Sequence, residues 1–406
     1  MPATLQEVPM SPRVASDLSR ENVSAMLIAL RAGPSARSQL ANRLGLSAGA
    51  VSRLSSRLIG AGLVELLDGQ ATSSGRGRPL TPLALRSNQR TALGVHLGAS
   101  RITAGLVDLS GRVSAVREVA YADLAAPAVL RQVRGQLRRL RSVVSPDTRI
   151  IGTGIGIGGT VDQGVVLDHP HLPWQRVDLA QALRTAAPEG LLVDSHVRGL
   201  ALAESTFGAA READSLVELH IGNVTDAAIV IDGELLLGPS SAAGTVAHLP
   251  VRFGSRAAPC SCGRSGCTQV ELSETRLVTE ARAAELEVGS GTALLALADE
   301  GNRTARRLVR DRMQLVGRLA GYLLDVLNPE LLVLAGGITG AWDGLLPEVR
   351  EYAARPVAGV SERERRIVGS RLGEHPLVLA AAAPVMLSYY ADPLAAEPTL
   401  AEAEGF

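Results

Sequence analysis

The chain has 406 residues, 46% of them hydrophobic, and its 41 basic residues are all arginine, matched by 41 acidic ones. That length buries two or three cores; the absence of lysine excludes Schiff-base and P-loop-lysine chemistry; no uncharged apolar run reaches the length of a membrane span. With few cysteines and an N-terminal stretch, MPATLQEVPMSPR, that lacks an apolar signal region, a cytoplasmic location is expected.

The zero net charge is unevenly spread. Residues 1–90 carry 11 Arg against 5 acidic residues, +6, and residues 91–406 carry 30 Arg against 36, −6. A basic head on an acidic body predicts that the head meets an anion, nucleic acid above all. Within the head, RENVSAMLIALR (20–31) spaces Val23, Met26, Leu27 and Leu30 at helical intervals, and Gly33-Pro34 ends that helix. Ser35 is the expected cap of a second helix buried through Leu40, Ala41 and Leu44, and Gly45 allows the turn that follows. Ser47 then caps a third helix packed through Val51, Leu54 and Leu58. Two short helices across a glycine turn predict a helix-turn-helix.

In such a unit the third helix enters the major groove N-terminus first. The expected DNA face is Ser47, Ala48, Gly49, Ser52, Arg53 and Ser56, with Arg53 reading a guanine edge or holding a phosphate, and Arg57 reaching backbone. Leu63–Leu67 and Leu80–Leu85 read as a strand pair joined by SSGRGRP, a wing in which Arg76 and Arg78 would enter the minor groove.

From residue 91 the pattern changes. TALGVHLGASRITAGLVDLSGRV reads as two strands around a turn at His96–Ser100, followed by a polar helical region and the glycine-rich RIIGTGIGIGGTVDQGVVL. LVELHIGNVTDAAIVIDGELLLG repeats the strand pair, and ELLVLAGGITG is a later strand running into a helix. Two coarse repeats of strand–turn–strand and helix predict a duplicated α/β body with a cleft between lobes.

All three cysteines fall within CSCGRSGC, residues 260–267. Three is a poor number for disulfides, and thiolates this close suit one zinc ion, which wants a fourth ligand. Spacing alone does not choose among the seven histidines.

At this point the chain resembles, over essentially its whole length, the ROK family of repressors, open reading frames and kinases, in the form that places a winged helix-turn-helix before the ROK body. The carrying residues are Cys260, Cys262, Gly263, Gly266 and Cys267 of the C-x-C-G-x-x-G-C motif, LGASR near residue 98, the glycine run 154–159, VDSHVRGLALAE (193–204) and AGGI (335–338). The resemblance implies a sugar-kinase/actin-like, ribonuclease H-like duplicated body. It divides the chain into a winged helix-turn-helix at 1–88 and a two-lobed ROK domain at 89–406. It also supplies His248 as the fourth ligand with Cys260, Cys262 and Cys267, a closed structural zinc site.

The resemblance also identifies what is missing. The kinase turn D-x-G-G-T-K reads HLGASR, so His96 replaces the acid, and the second phosphate loop reads GNVTDA (222–227), where Asp226 would repel phosphate. Ser195-His196 stand for the Asn-Asp that holds the general base, Thr245 and Gln269 for two sugar-binding acids, and Gly158 for a proline, while His248 is kept. No catalytic residue is expected. The expected ligand site is His171, Ser195, His196, Arg198, Thr245, His248 and Gln269. Four carboxylates lost and one arginine gained predict an anionic sugar derivative, bound more strongly at pH 6 than at pH 8 as the histidines charge. The expected function is a transcriptional regulator, a repressor of sugar or related metabolism, acting as a homodimer or higher homo-oligomer on a double-stranded palindromic operator. The alternative is a DNA-binding protein whose body serves only as a dimerisation or docking scaffold, with an active sugar kinase behind both.

Overall fold

The computed structural model describes residues 12–67, 81–336, 342–354 and 362–395. The chain opens with helices α1 (Pro12–Arg31), α2 (Arg37–Leu44) and α3 (Ala48–Gly60) and a two-stranded antiparallel sheet, β1 (Val64–Leu66) and β2 (Leu83–Leu85). Gly45 takes the left-handed conformation, φ 64°, that the turn between α2 and α3 requires. The Ser47 hydroxyl accepts from the Ala50 N–H at 3.2 Å and caps α3. The α2 cap differs from expectation. Ala36 is its N-cap, and its N–H donates to Gln39 Oε1 at 2.9 Å, while Ser35 only donates to that same oxygen. Leu40 is fully buried, whereas Ala41 and Leu44 are half-buried. The wing arginines, Arg76 and Arg78, lie outside the described residues.

Lobe 1 begins directly after the head with β3 (Arg90–Leu97), β4 (Arg101–Asp108) and β5 (Val113–Ala120), followed by α4 (Ala126–Arg141) and β6 (Arg149–Ile157). β5 is the third strand where only a polar helical region was expected. Its residues alternate poorly because both faces are largely exposed at the sheet edge. A small antiparallel sheet of β7 (Thr160–Asp162), β8 (Val165–Asp168) and β9 (Gln175–Asp178) leads to α5 (Leu179–Leu183), β10 (Leu191–Ser195) and α6 (His196–Phe207). The main sheet runs β10-β6-β3-β4-β5, with β3, β4 and β5 antiparallel and β6 and β10 parallel to β3.

Lobe 2 repeats this order. β11 (Leu216–Ile221), β12 (Thr225–Ile231) and β13 (Glu234–Leu235) form the meander. α7 (Thr268–Glu271), α8 (Glu274–Ala283), α9 (Gly291–Asp299) and the 25-residue α10 (Arg303–Leu327) follow. β14 (Leu331–Gly336), α11 (Trp342–Ala353) and β15 (Ile367–Gly369) complete a sheet ordered β13-β12-β11-β14-β15. The duplicated body expected from the two strand pairs is therefore present, and the ends of β3 and β11 line one cavity. Gly337 lies outside the described residues.

The last helix, α12 (Pro376–Ala391), returns to lobe 1 and is apolar all round, as a helix buried on every side must be. Its backbone lies against the glycine run. A Cβ at Gly154 would stand 1.8 Å from the Ala381 carbonyl oxygen, and one at Gly199 would stand 2.3 Å from that of Ala380. The glycines of β6 and α6 thus serve helix packing as well as the cleft. The head is not a bead on a tether. Val23, Met26, Leu27 and Leu30 of α1 share one apolar core with Leu200 and Ala203 of α6 and with Met386, Tyr389 and Tyr390 of α12. Arg31, the last residue of α1, donates to the Thr206 carbonyl and sits 4.7 Å from the centre of the Phe207 ring and 5.6 Å from that of Tyr390.

Candidate functional site

Three groups of residues bear on function. The first is the outer face of α3. Val51, Leu54 and Leu58 are buried on one side, and Ser47, Ala48, Gly49, Ser52, Arg53, Ser56 and Arg57 are all exposed on the other. Arg57 reaches back to donate to the Ser19 hydroxyl at 3.0 Å. The face is small, capped and basic, the surface that close approach to a groove requires.

The second is the cysteine loop. His248 Nδ1 is 3.6 Å from Cys260 Sγ, Cys262 Sγ is 3.7 Å from Cys267 Sγ, and the four ligand atoms all lie within 4.8 Å of one another. A tetrahedral zinc ion with Zn–S of about 2.3 Å and Zn–N of about 2.0 Å sets S···S edges at about 3.8 Å and S···N edges at about 3.5 Å. The donor set therefore fits a metal ion with no position left for water, a structural role. Gly266 makes the loop possible: its φ is +73°, and a Cβ there would stand 1.9 Å from the Arg252 carbonyl oxygen. The fully buried Glu271 carboxylate accepts from Arg252 Nε and from the Ala258 N–H, each at 2.7 Å, and pins the loop to α7.

The third is the cleft, and here the seven residues expected to bind one ligand separate. His196 faces a cavity of about 230 Å³ between the lobes. Ser195, Arg198 and Thr245 line a different cavity of about 20 Å³ beside Asp226. His248 belongs to the cysteine loop. Gln269 and His171 act on Asn223: both donate to its carbonyl, His171 through Nε2 at 2.8 Å, while Gln269 Oε1 accepts from the Thr225 N–H at 3.1 Å. They hold the Gly222–Thr225 loop in place rather than forming a sugar pocket.

The charge expectation is corrected at each point. Arg198 is buried and committed, to the Asp194 carboxylate and to the carbonyls of Val161 and Ser241 at 2.7 and 3.0 Å, so it adds no free positive charge. The large cavity is walled by His96, His169, His196 and His220, all 7% exposed or less. Burial, with neighbouring imidazoles second, pushes His96 down to about 3 and His169 to about 4. Burial alone takes His220 to about 4, and burial with the neighbouring histidines holds His196 well below its ordinary value. At neutral pH the rings carry no charge, so the predicted preference for pH 6 over pH 8 has no basis in them. Asp226 lies on the side of the smaller cavity, its carboxyl raised to about 7 by burial against the opposing pull of Arg198.

His169 and His220 were not anticipated. His220 sits in an apolar strand that reads as core, and His169 needs the fold to bring β8 beside the end of β3. In the sequence His169 stands only two residues before His171, in HPHLPW. The Gly222 loop also departs from a phosphate cradle: Val224 projects inward, and its Cγ2 would stand 2.9 Å from a Cβ at Gly158.

The ROK family model matches residues 92–385. The chain is 29% identical over 386 residues to the transcriptional regulator Rv0485 of Mycobacterium tuberculosis (strain ATCC 25618 / H37Rv), covering 90% of this chain and 84% of that one. It is 26% identical over 337 residues, 78% of this chain and 80% of the relative, to a protein named the DNA-binding transcriptional dual regulator NagC in Escherichia coli (strain K12) and the N-acetylglucosamine repressor in Shigella flexneri. Its fold matches the crystal structure of a ROK family transcriptional regulator described as a homologue of the E. coli MLC protein, with a TM-score of 0.73 at 22% identity, over 93% of this chain and 98% of that one.

Proposed function

The chain belongs to the ROK family, and from that premise we propose that it is a DNA-binding transcriptional regulator of sugar or related metabolism whose ROK body has given up catalysis. The observation that carries this is the exposed, Ser47-capped, arginine-bearing face of α3 on a head built into the body's own core. In this reading residues 1–88 bind DNA, residues 89–406 form the two-lobed body, and two copies place two α3 helices on a palindromic site. Cys260, Cys262, Cys267 and His248 hold structural zinc.

Loss of catalysis is supported by chemistry. Phosphoryl transfer needs a base at the accepting hydroxyl and a cradle for the phosphates. His196 stands at the base position as a neutral, fully buried ring, no carboxylate lines the large cavity among the described residues, and Val224 obstructs the loop. The sensed metabolite on this reading is an uncharged sugar derivative rather than the anionic one that the sequence suggested, because among the described residues no free cationic side chain lines the cleft to pair an anion.

A second reading, in which the body is only a dimerisation or docking scaffold, is favoured by the cavity of about 20 Å³ at Ser195, Arg198 and Thr245, which holds a water and not a sugar. Selection of bound duplexes from a random DNA pool tests the DNA reading: an enriched palindrome is expected, and no enrichment sinks it. Thermal-shift titration with neutral and anionic sugars separates sensor from scaffold. A response to neutral sugars is expected of the first and a response to neither of the second.

A further inference from the structure

The four-histidine chamber is more than a replaced kinase centre. His96 lies next to the end of β3, His169 follows β8, His196 begins α6 and His220 lies near the end of β11, so three rings come from lobe 1 and one from lobe 2. Four imidazoles in a cavity walled otherwise by Asn223, glycines and aliphatic side chains is an unusual use of buried volume, since each brings two polar nitrogens that need partners. Only one hydrogen-bond contact joins two of the rings, His96 Nε2 to His196 Nδ1. His196 Nε2 and His220 Nδ1 are both buried and make no hydrogen bond. His169 is different. Its Nδ1 accepts from the N–H groups of His171 and Leu172 at 3.0 and 2.9 Å, which keeps its proton on Nε2 and makes it a donor.

The remaining contact has a telling length. His96 Nε2 stands 3.3 Å from His196 Nδ1, long for a hydrogen bond between nitrogens. Two imidazole nitrogens bound at about 2.0–2.1 Å to one tetrahedral ion are separated by about 3.3 Å. The His196 and His220 rings meet edge to face with centres 4.6 Å apart, and the His96 and His196 centres are 5.4 Å apart. Ligand atoms gathered as tightly as those of the cysteine loop are found only in that loop among the described residues. In the chamber the His96–His196 pair alone is at ligand spacing, and His220 has to move toward it.

We propose that the chamber is a second metal site, taking one imidazole-preferring divalent ion of the zinc, nickel or cobalt class on His96 and His196, with His220 completing the set as lobe 2 closes on lobe 1. Neutral nitrogen ligands without carboxylates suit these ions and exclude magnesium and calcium. Three protein ligands leave one position open for water or an anion, in a cavity that His169 also lines. This distinguishes the chamber from the closed cysteine site. The inference does not rest on the DNA-binding reading, but it bears on the ligand: a bound ion would supply the cationic group that the cleft's own side chains lack.

The test uses full-length protein with its cysteine site loaded with zinc, titrated with Co²⁺ and, separately, with Ni²⁺, with bound metal counted after desalting. The expected result is one further equivalent per chain whose cobalt spectrum lacks a thiolate charge-transfer band. His96→Gln and His220→Gln should each weaken it by at least about tenfold while retaining the zinc of the cysteine site, which shows that they are folded. Cys262→Ser should lose only the first metal. A capacity that stays at one, a thiolate band on the second equivalent, or an undiminished second equivalent in either histidine variant overturns the proposal.

Discussion

Replacing Arg31 by alanine should loosen the head from the body. The guanidinium closes the C-terminal end of α1 onto the C-terminal end of α6 through the Thr206 carbonyl, with the Phe207 ring 4.7 Å and the Tyr390 ring 5.6 Å from its carbon. A hydrogen bond from a charged donor is worth about 1.5–3 kcal/mol. Two ring faces over a half-buried cation add about 1–2 kcal/mol together. Against this stands the cost of burying the charge, seen in a pKa lowered chiefly by desolvation, which the alanine recovers in part. The net loss is about 1.5–3 kcal/mol. It should be read locally, by hydrogen exchange, as an equal fall in the opening free energy of the α1 amides while the β11 and β14 amides keep theirs. A double-mutant cycle with Phe207→Leu isolates the ring contact and should return a coupling of about 0.5–1.5 kcal/mol. If the coupling falls within the additivity error of about 0.3 kcal/mol, or α1 protection is unchanged, the head is held by its apolar core alone and the clamp argument fails.

Arg53→Ala on the exposed face of α3 should cost about 1–3 kcal/mol of specific operator affinity if Arg53 contacts a base edge, and a uniform loss across sequences would reassign it to phosphate. Gly266→Ala forces a Cβ to within 1.9 Å of the Arg252 carbonyl at a φ of +73°, so metal analysis should find zinc reduced as in Cys262→Ser, and full zinc retention would show that the loop is not built as described. Asp226 holds its proton up to about pH 7 when folded and up to about 3.8 when unfolded, so between those values the native state binds more protons and the wild type loses stability as pH rises. Asp226→Asn removes that loss. Denaturation midpoints should favour the variant at pH 8 by a fraction of the ~1.4 kcal/mol per pH unit that linkage allows, and the two proteins should converge near pH 4. An advantage that grows toward acid would reverse the assignment.

How much of this was legible depended on the range over which each feature is encoded. The helix-turn-helix is local: Gly45, Ser47 and the stripe Val51, Leu54, Leu58 lie within fourteen residues and fold as their spacing implies. The cysteine loop is as local, which is why its motif could be seen whole. The ends of β3 and β11 are read correctly as turns, but what faces what across them is set by packing two lobes around α12. His220 looks like a strand residue until the ends of β3 and β11 line one cavity. Arg198 read as a free cation although Asp194 stands one helical turn before it in the same run; its other acceptors, Val161 and Ser241, come from distant stretches. Arg31 gave no signal at all, since its acceptor lies 175 residues away.

The same packing fixes how the cleft and the head can communicate. α6 starts in the chamber with His196 and ends at Thr206 and Phe207 on Arg31, a span of 12 residues, or about 18 Å of helix. α12 starts there too, with Pro376 and Leu377, and ends at Tyr390 beneath Arg31 and Asp392, whose carboxylate meets Arg20 at 2.9 Å. The two helices touch backbone to backbone at Gly199 and Ala380, where not even a methyl group fits, so they have no slack in which to absorb a displacement separately. A shift of the pair at the chamber must therefore carry α1 with it or expose the apolar core that α1 shares with both. Spatial continuity of this kind is not yet coupling. It becomes coupling only if a ligand binds the open and closed lobes with different affinity, and a full switch of operator occupancy would need a preference of about 10⁴-fold. On the proposed palindromic reading a small rotation would be enough to matter, because two α3 helices would have to meet successive major grooves about 34 Å apart at once. The Arg31 contact is where that rotation would have to pass, which makes its removal the experiment that separates a lever from a hinge.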